Sequence, residues 1–219
     1  MKSKIFNNSF IILIFFFILS CNSEISFLEK SQGKTLFYEV IFLDKENKRN
    51  VYRQSLSFLS ISNNLLPVLK NDGEVFFFSQ NENGIIKKTL NNSISKIVLA
   101  FPVEVGTKWK TNDKTTLQMK LGYDRVYNTN LPLELENIIE KTNDTVSING
   151  KKIKNCIKIS SRGMTSFNPG PPLSNIKIEV SIETWYSRDF GIVKYIREET
   201  SDSETMGKIS YDKTMIIDN

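Results

Sequence analysis

From Leu36 onward, apolar and polar residues tend to alternate in short runs separated by turn residues. "IKIEVSIE" shows the pattern most clearly: Ile176, Ile178, Val180 and Ile182 fall on one face, Lys177, Glu179, Ser181 and Glu183 on the other. A period of two is the signature of a half-buried strand. "TLFYEVIFLD", "NVYRQSLSFLSIS", "EVFFFSQNENGIIKKTL", "TTLQMKLGYDRVY", "LPLELENIIEKTNDTVSI", "KKIKNCIKISSRG", "GIVKYIREETS" and "KISYDKTMII" are rich in β-branched and aromatic residues and read as further strands. Asn83-Gly84 and Asn149-Gly150 interrupt paired runs; both predict hairpins whose turn residues take positive φ. Further turns are expected at Arg188-Asp189 and near Met206-Gly207. "SFNPGPPLSN" holds three of the six prolines and is a loop, because proline cannot donate to a sheet ladder.

These signals predict about ten strands and no long amphipathic helix. The expectation is an all-β protein, one antiparallel sheet strongly curved into a half-barrel or small barrel. Helix is expected only around residues 22–31 and in a short piece near 91–99. In "KKIKNCIKI", Ile153, Ile157 and Ile159 share a face and Cys156 takes the other, unless a bulge near Asn155 shifts the parity. In "VFFFS", Phe77 points opposite to Phe76 and Phe78, so at least one aromatic side chain faces away from the main core or the strand is buried on both sides.

The N-terminus follows other rules. Lys2 and Lys4 precede ten consecutive apolar residues, Phe10 to Leu19, and then Ser20 and Cys21. A membrane-spanning helix needs about 20 apolar residues, whereas this length and its basic flank fit the core of a signal peptide. Ile18-Leu19-Ser20-Cys21 resembles the lipobox of bacterial lipoproteins. That resemblance implies cleavage between Ser20 and Cys21 and a diacylglyceryl group on the Cys21 thiol, which anchors the chain to a membrane through two acyl chains. The expected organisation is a signal peptide over 1–20, a lipidated tether over 21–34 and a single β-rich domain over 35–219. Asn22, in place of the Asp of the inner-membrane retention signal, points to the outer membrane, facing the periplasm, where the organism has one.

Charge and composition narrow the chemistry. Without residues 1–20 the side-chain charge is 27 basic minus 24 acidic, or +3, and it is interspersed. Nucleic-acid binding, which needs a clustered basic face, is not expected. There is no histidine, which removes histidine-based triads and the commonest zinc ligand. Cys156 is the only cysteine left beside Cys21, and it reads as a small core residue. Glu134 and Glu136 alternate with Leu131, Leu133 and Leu135, as the wet side of a strand does. No catalytic residue, metal site or cofactor is expected, and the protein reads as a non-enzyme.

Two longer segments carry a second resemblance. "FPVEVGTKW" contains Pro-x-x-x-Gly-x-x-Trp, with Gly106 and Trp109, and "ETWYSRDFGIVKY" contains Trp185-Tyr186 followed by Gly191-Ile-Val-Lys. With "INGKKIKNCIKI" between them, they resemble a broad group of uncharacterised bacterial envelope lipoproteins over residues 101–199. The resemblance implies an envelope lipoprotein and no particular activity. Gly106 permits a tight turn ahead of Trp109, whose indole N–H needs a carbonyl; Phe190-Gly191 looks like a hairpin corner. These aromatics serve as core and corner or as the mouth of a ligand site.

The leading expectation is a non-catalytic, lipid-anchored binding domain whose curved sheet holds a lipid or other apolar ligand. Phe76, Phe77, Phe78, Trp109, Trp185 and Phe190 are its candidate lining. The alternatives are an accessory lipoprotein that docks on another envelope protein, and, more remotely, a hydrolase using paired carboxylates.

Overall fold

The computed structural model describes residues 27–90, 95–121, 125–168 and 175–217. Ser20 and Cys21 lie outside the described residues, as do the prolines of the 169–174 segment. Among the described residues a one-turn helix, α1 (Phe27–Ser31), is followed by fourteen strands. These are β1 (Thr35–Leu43), β2 (Arg49–Phe58), β3 (Leu66–Lys70), β4 (Val75–Asn81), β5 (Gly84–Thr89), β6 (Ser95–Ala100), β7 (Lys108–Lys114), β8 (Gln118–Leu121), β9 (Arg125–Asn128), β10 (Pro132–Ile148), β11 (Lys151–Phe167), β12 (Ile176–Ser187), β13 (Gly191–Ser201) and β14 (Lys208–Met215). The all-β architecture expected from the alternation is present.

Twelve strands form one antiparallel sheet in the order β6-β5-β4-β3-β2-β1-β14-β13-β12-β11-β10-β7, and β8 and β9 make a separate hairpin. The sheet is rolled into a nearly closed barrel, so β6 and β7, the two ends of that order, face one another across a seam. Side chains bridge the seam. The Trp109 indole N–H on β7 donates to the Ile97 carbonyl on β6 at 3.0 Å, and Lys96 Nζ on β6 lies 3.8 Å from Asp113 Oδ2 on β7. The bends that allow closure have local causes. The β10–β11 ladder slips between Ile139 and Val146, and Asn155, opposite this stretch, has φ +57°. Extra residues on one strand coil the sheet and deepen its twist.

That bulge puts Cys156 (0 % exposed) into the same apolar cluster as its neighbour Ile157 (1 %), where unbroken alternation places them on opposite faces. Residues 95–99 of the stretch expected to be helical belong to β6 instead. Ladder pairing with β5 overrides a weak local preference. The β4–β5 hairpin exists, but its loop is Glu82-Asn83. Gly84 already pairs with Asn81 and Ala100 as a strand residue. Its φ of +141° and the Leu99 carbonyl oxygen, 2.1 Å from where a Cβ would sit, exclude a side chain. At the β10–β11 hairpin both expected turn residues have positive φ, Asn149 +49° and Gly150 +79°.

Two apolar clusters occupy the interior. The first gathers Tyr38, Phe58, Leu66, Phe76, Phe78, Ile139, Cys156, Ile157, Tyr186 and Val193, with Leu28 of α1 packed onto it. Within the stretch 21–34, therefore, the described part from Leu28 is seated on the sheet. The second gathers Leu117, Leu133, Leu135, Met206, Ile209 and the inward residues of β12 from Ile176 to Ile182. The inward face of β12 passes from the second cluster through Thr184 to Tyr186 in the first. Between the clusters the interior is lined by apolar and polar side chains together.

Candidate functional site: the barrel interior

The space between the two clusters is an open cavity of about 330 Å3, within the range of small-ligand sites. Strands from around the sheet contribute to it. Leu56, Phe76, Phe78, Ile97, Leu135, Ile159 and Ile182 make apolar wall; Gln54, Thr111, Asn137, Ser161, Thr184, Tyr195 and Tyr211 are polar. Six charged residues complete the lining: Lys70, Lys87, Lys96 and Lys213 with Glu74 and Asp113. Four cations against two carboxylates leave +2.

The strand registers explain how lysines come to face inward. Lys87 is the cross-strand partner of Phe78 on β4 and of Lys96 on β6, so the row that carries Phe78 into the cavity carries both lysines too. Like charges directly opposite one another are unfavourable. On β14 the inward positions are Ile209, Tyr211, Lys213 and Met215, and the two outer members of that series are buried. Lys213 stands beside Tyr195 of β13 in the ladder.

The four lysines differ in their partners. Lys70 is paired with Asp72 and with Glu74 (3.3 Å), and these carboxylates outweigh its burial and raise its pKa. Lys96 reaches Asp113. For Lys87 and Lys213, no carboxylate among the described residues lies within 4.0 Å. The Lys87 ammonium instead sits 3.9 Å from the centre of the Phe76 ring. Lys213 lies 4.8 Å from the centre of Tyr38 and 5.9 Å from that of Tyr195. Such contacts stabilise a cation without neutralising it. Burial lowers the pKa of Lys87; the more distant Glu74 and Asp113 oppose the effect, and Lys96 and Lys70 add to it. Burial, reinforced by Lys87 and Lys70, pulls Lys213 down to about 8.

A clamp of buried charge holds the wall beyond Tyr195. Arg197 Nε donates to Glu199 Oε1 at 2.7 Å, Nη1 to Asp113 Oδ2 at 3.0 Å and Nη2 to the Lys114 carbonyl at 2.6 Å. Glu199, fully buried, also accepts from the backbone N–H of Thr116 and Leu117 and from the Thr116 hydroxyl. Desolvation opposes the Arg197 charge, but the oxygens of Tyr195, Glu199 and Asp113 more than compensate. The network fastens the segment after β7 to β13 and seats Leu117 in the second cluster. Because Arg197 already occupies Asp113, this carboxylate is a shared partner for Lys96.

The predicted lining residues separate cleanly. Phe76 and Phe78 line the cavity and pack edge to face with ring centres 5.5 Å apart. Phe77 is on the opposite face of β4, half-buried. Trp109 is committed to the seam through its bond to Ile97. Trp185 faces away from the cavity: its indole N–H donates to Asp144 Oδ2 at 2.9 Å, and Lys158 and Lys194 lie 5.3 and 5.7 Å from its ring. Phe190 is 38 % exposed in the β12–β13 turn ahead of Gly191, whose φ is +75°. Gly106, with φ +94°, turns the chain into β7 and donates its N–H to the Ile139 carbonyl. Sequence reasoning missed the lysines, although a charged residue on the apolar parity of "KISYDKTM" was a readable signal.

Among the described residues no group of three or more Asp, Glu or Cys is placed to hold a metal ion, and no helix is long and apolar enough to cross a membrane. No protein-family model matches the chain, and no curated protein matches it. Among solved structures, the chain is similar to the crystal structure of the hypothetical lipoprotein YmcC from Escherichia coli K12. Identity is 10 %, the TM-score is 0.39, and the match covers 100 % of this chain and 99 % of that one.

Proposed function

We propose that this is a non-catalytic envelope lipoprotein, anchored through an acylated Cys21, whose barrel interior binds an apolar ligand. The observation that carries the binding reading is the cavity between the two core clusters, walled by Phe76, Phe78, Ile97, Leu135 and Ile182 and open to solvent. A β-domain of this size has enough side chains to fill its interior, and natural interiors are close-packed. Keeping about 330 Å3 open therefore calls for an occupant. Anchoring supplies the location: the signal peptide and Cys21 put the domain on a membrane surface, and Asn22 favours the outer membrane, facing the periplasm.

The test is native mass spectrometry of the full chain, matured in a bacterial host and extracted gently, with lipid analysis of the same sample. A stoichiometric apolar adduct is the expected result. A ligand-free mass in every preparation, with no uptake of an added alkyl probe, overturns the binding reading.

A further inference from the structure

The lysines of the cavity are the least economical feature of the fold. A barrel that merely needed solubility would turn Lys87 and Lys213 outward. Here Lys87 faces Lys96 across adjacent strands, and two of the four ammonium groups rest against aromatic rings with no carboxylate of the described residues within 4.0 Å. The carboxylates in the lining are already engaged, Glu74 by Lys70 and Asp113 by Lys96 and Arg197. Lys87 and Lys213 are half-buried. A charge partly withdrawn from water without a counter-ion in contact is costly, and an anion placed between these ammonium groups relieves both desolvation and mutual repulsion. Apolar wall and uncompensated cations occupy the same cavity, and one kind of molecule satisfies both.

We propose that the ligand is an anionic amphiphile, its alkyl chain against Phe76, Phe78 and Leu135 and its carboxylate or phosphate head received by Lys87 and Lys213. This rests on the binding function proposed above and adds the charge of the ligand to it. Lys70 and Lys96, held by their own carboxylates, supply field around the head and not the primary contacts. The aromatic rings beneath the two free ammonium groups hold them in place when the cavity is empty.

The full-length chain, matured and acylated, is placed in lipid nanodiscs, and dodecanoate, dodecyl phosphate and neutral dodecanol are titrated calorimetrically against protein-free discs. Either anion is expected to bind at least about tenfold more tightly than dodecanol, as a charge-assisted contact requires. Which anion is preferred tells a carboxylate head from a phosphate. Lys87→Met and Lys213→Met are each expected to weaken the preferred anion about tenfold and to narrow its advantage over dodecanol by the same factor or more. Equal binding of the anions and dodecanol, insensitive to both substitutions, overturns the anionic head while leaving an apolar site standing. Absence of binding by all three probes overturns the binding function itself.

Discussion

Replacing Lys213 by methionine is expected to stabilise the protein, and the gain should shrink as pH rises. Burial and the neighbouring Lys87 and Lys70 bring the Lys213 pKa from 10.5 to about 8. A difference of that size corresponds to roughly 3 kcal/mol at about 1.4 kcal/mol per unit, spent at neutral pH on holding the ammonium in the fold. The sign follows from proton counts. Below pH 8 both states are protonated and the full cost applies. Between pH 8 and 10.5 the unfolded chain binds a proton that the folded one has released, so wild-type stability rises with pH. Methionine keeps the stem's apolar volume and removes the charge. The variant should exceed wild type by about 3 kcal/mol near pH 7 and by about 1.5 kcal/mol at pH 9.5, roughly 6–12 °C in Tm at the lower pH.

The comparison between variant and wild type is essential, because other groups pull the other way. Burial raises the Cys156 thiol and the Tyr38, Tyr186, Tyr195 and Tyr211 hydroxyls. The folded state keeps those protons as the unfolded state loses them, so they lower stability in alkali in both proteins and cancel in the difference. The assay is urea unfolding of both proteins at half-unit steps from pH 7 to 9.5. A Lys213→Met protein no more stable than wild type at pH 7, or a gap that stays constant to pH 9.5, refutes the reasoning.

Glu199→Ala should destabilise the protein by about 3–5 kcal/mol in urea unfolding, because it strands the buried Arg197 and releases the Thr116 and Leu117 amides; a loss under about 1 kcal/mol refutes the clamp. Cys156, fully buried with its thiol pKa pushed up by burial, should react with an aromatic disulfide reagent at pH 8 only as fast as the protein unfolds. A fast stoichiometric reaction of the native protein places the thiol at the surface instead.

Much of the fold was legible in the sequence, since strand alternation and turn chemistry are local. The inward face of "IKIEVSIE", the positive φ of Asn149 and Gly150, and the opposition of Phe77 to Phe76 and Phe78 all follow from a repeat of two and the conformations that Asn and Gly tolerate. Local reasoning missed wherever a distant partner decided the outcome. Residues 95–100 are a strand because β5 lies beside them. Cys156 turns inward because β11 is bulged at Asn155 against β10. Trp185, next to the inward-facing Thr184, finds its partner in Asp144, 41 residues earlier.

The candidate site illustrates the same division. The parity of Lys213 with Tyr211 and Met215 is written in the sequence, and a charged side chain at such a position is ordinarily read as solvated. Its inward direction comes from closure. Only when β6 meets β7 through Trp109 and Lys96 does one face of every strand become an interior. Alternation determines which residues share a face, because that is a property of the strand's own pleat. Which face is enclosed depends on contacts between residues far apart in the chain, and these exist only once the sheet has curled on itself.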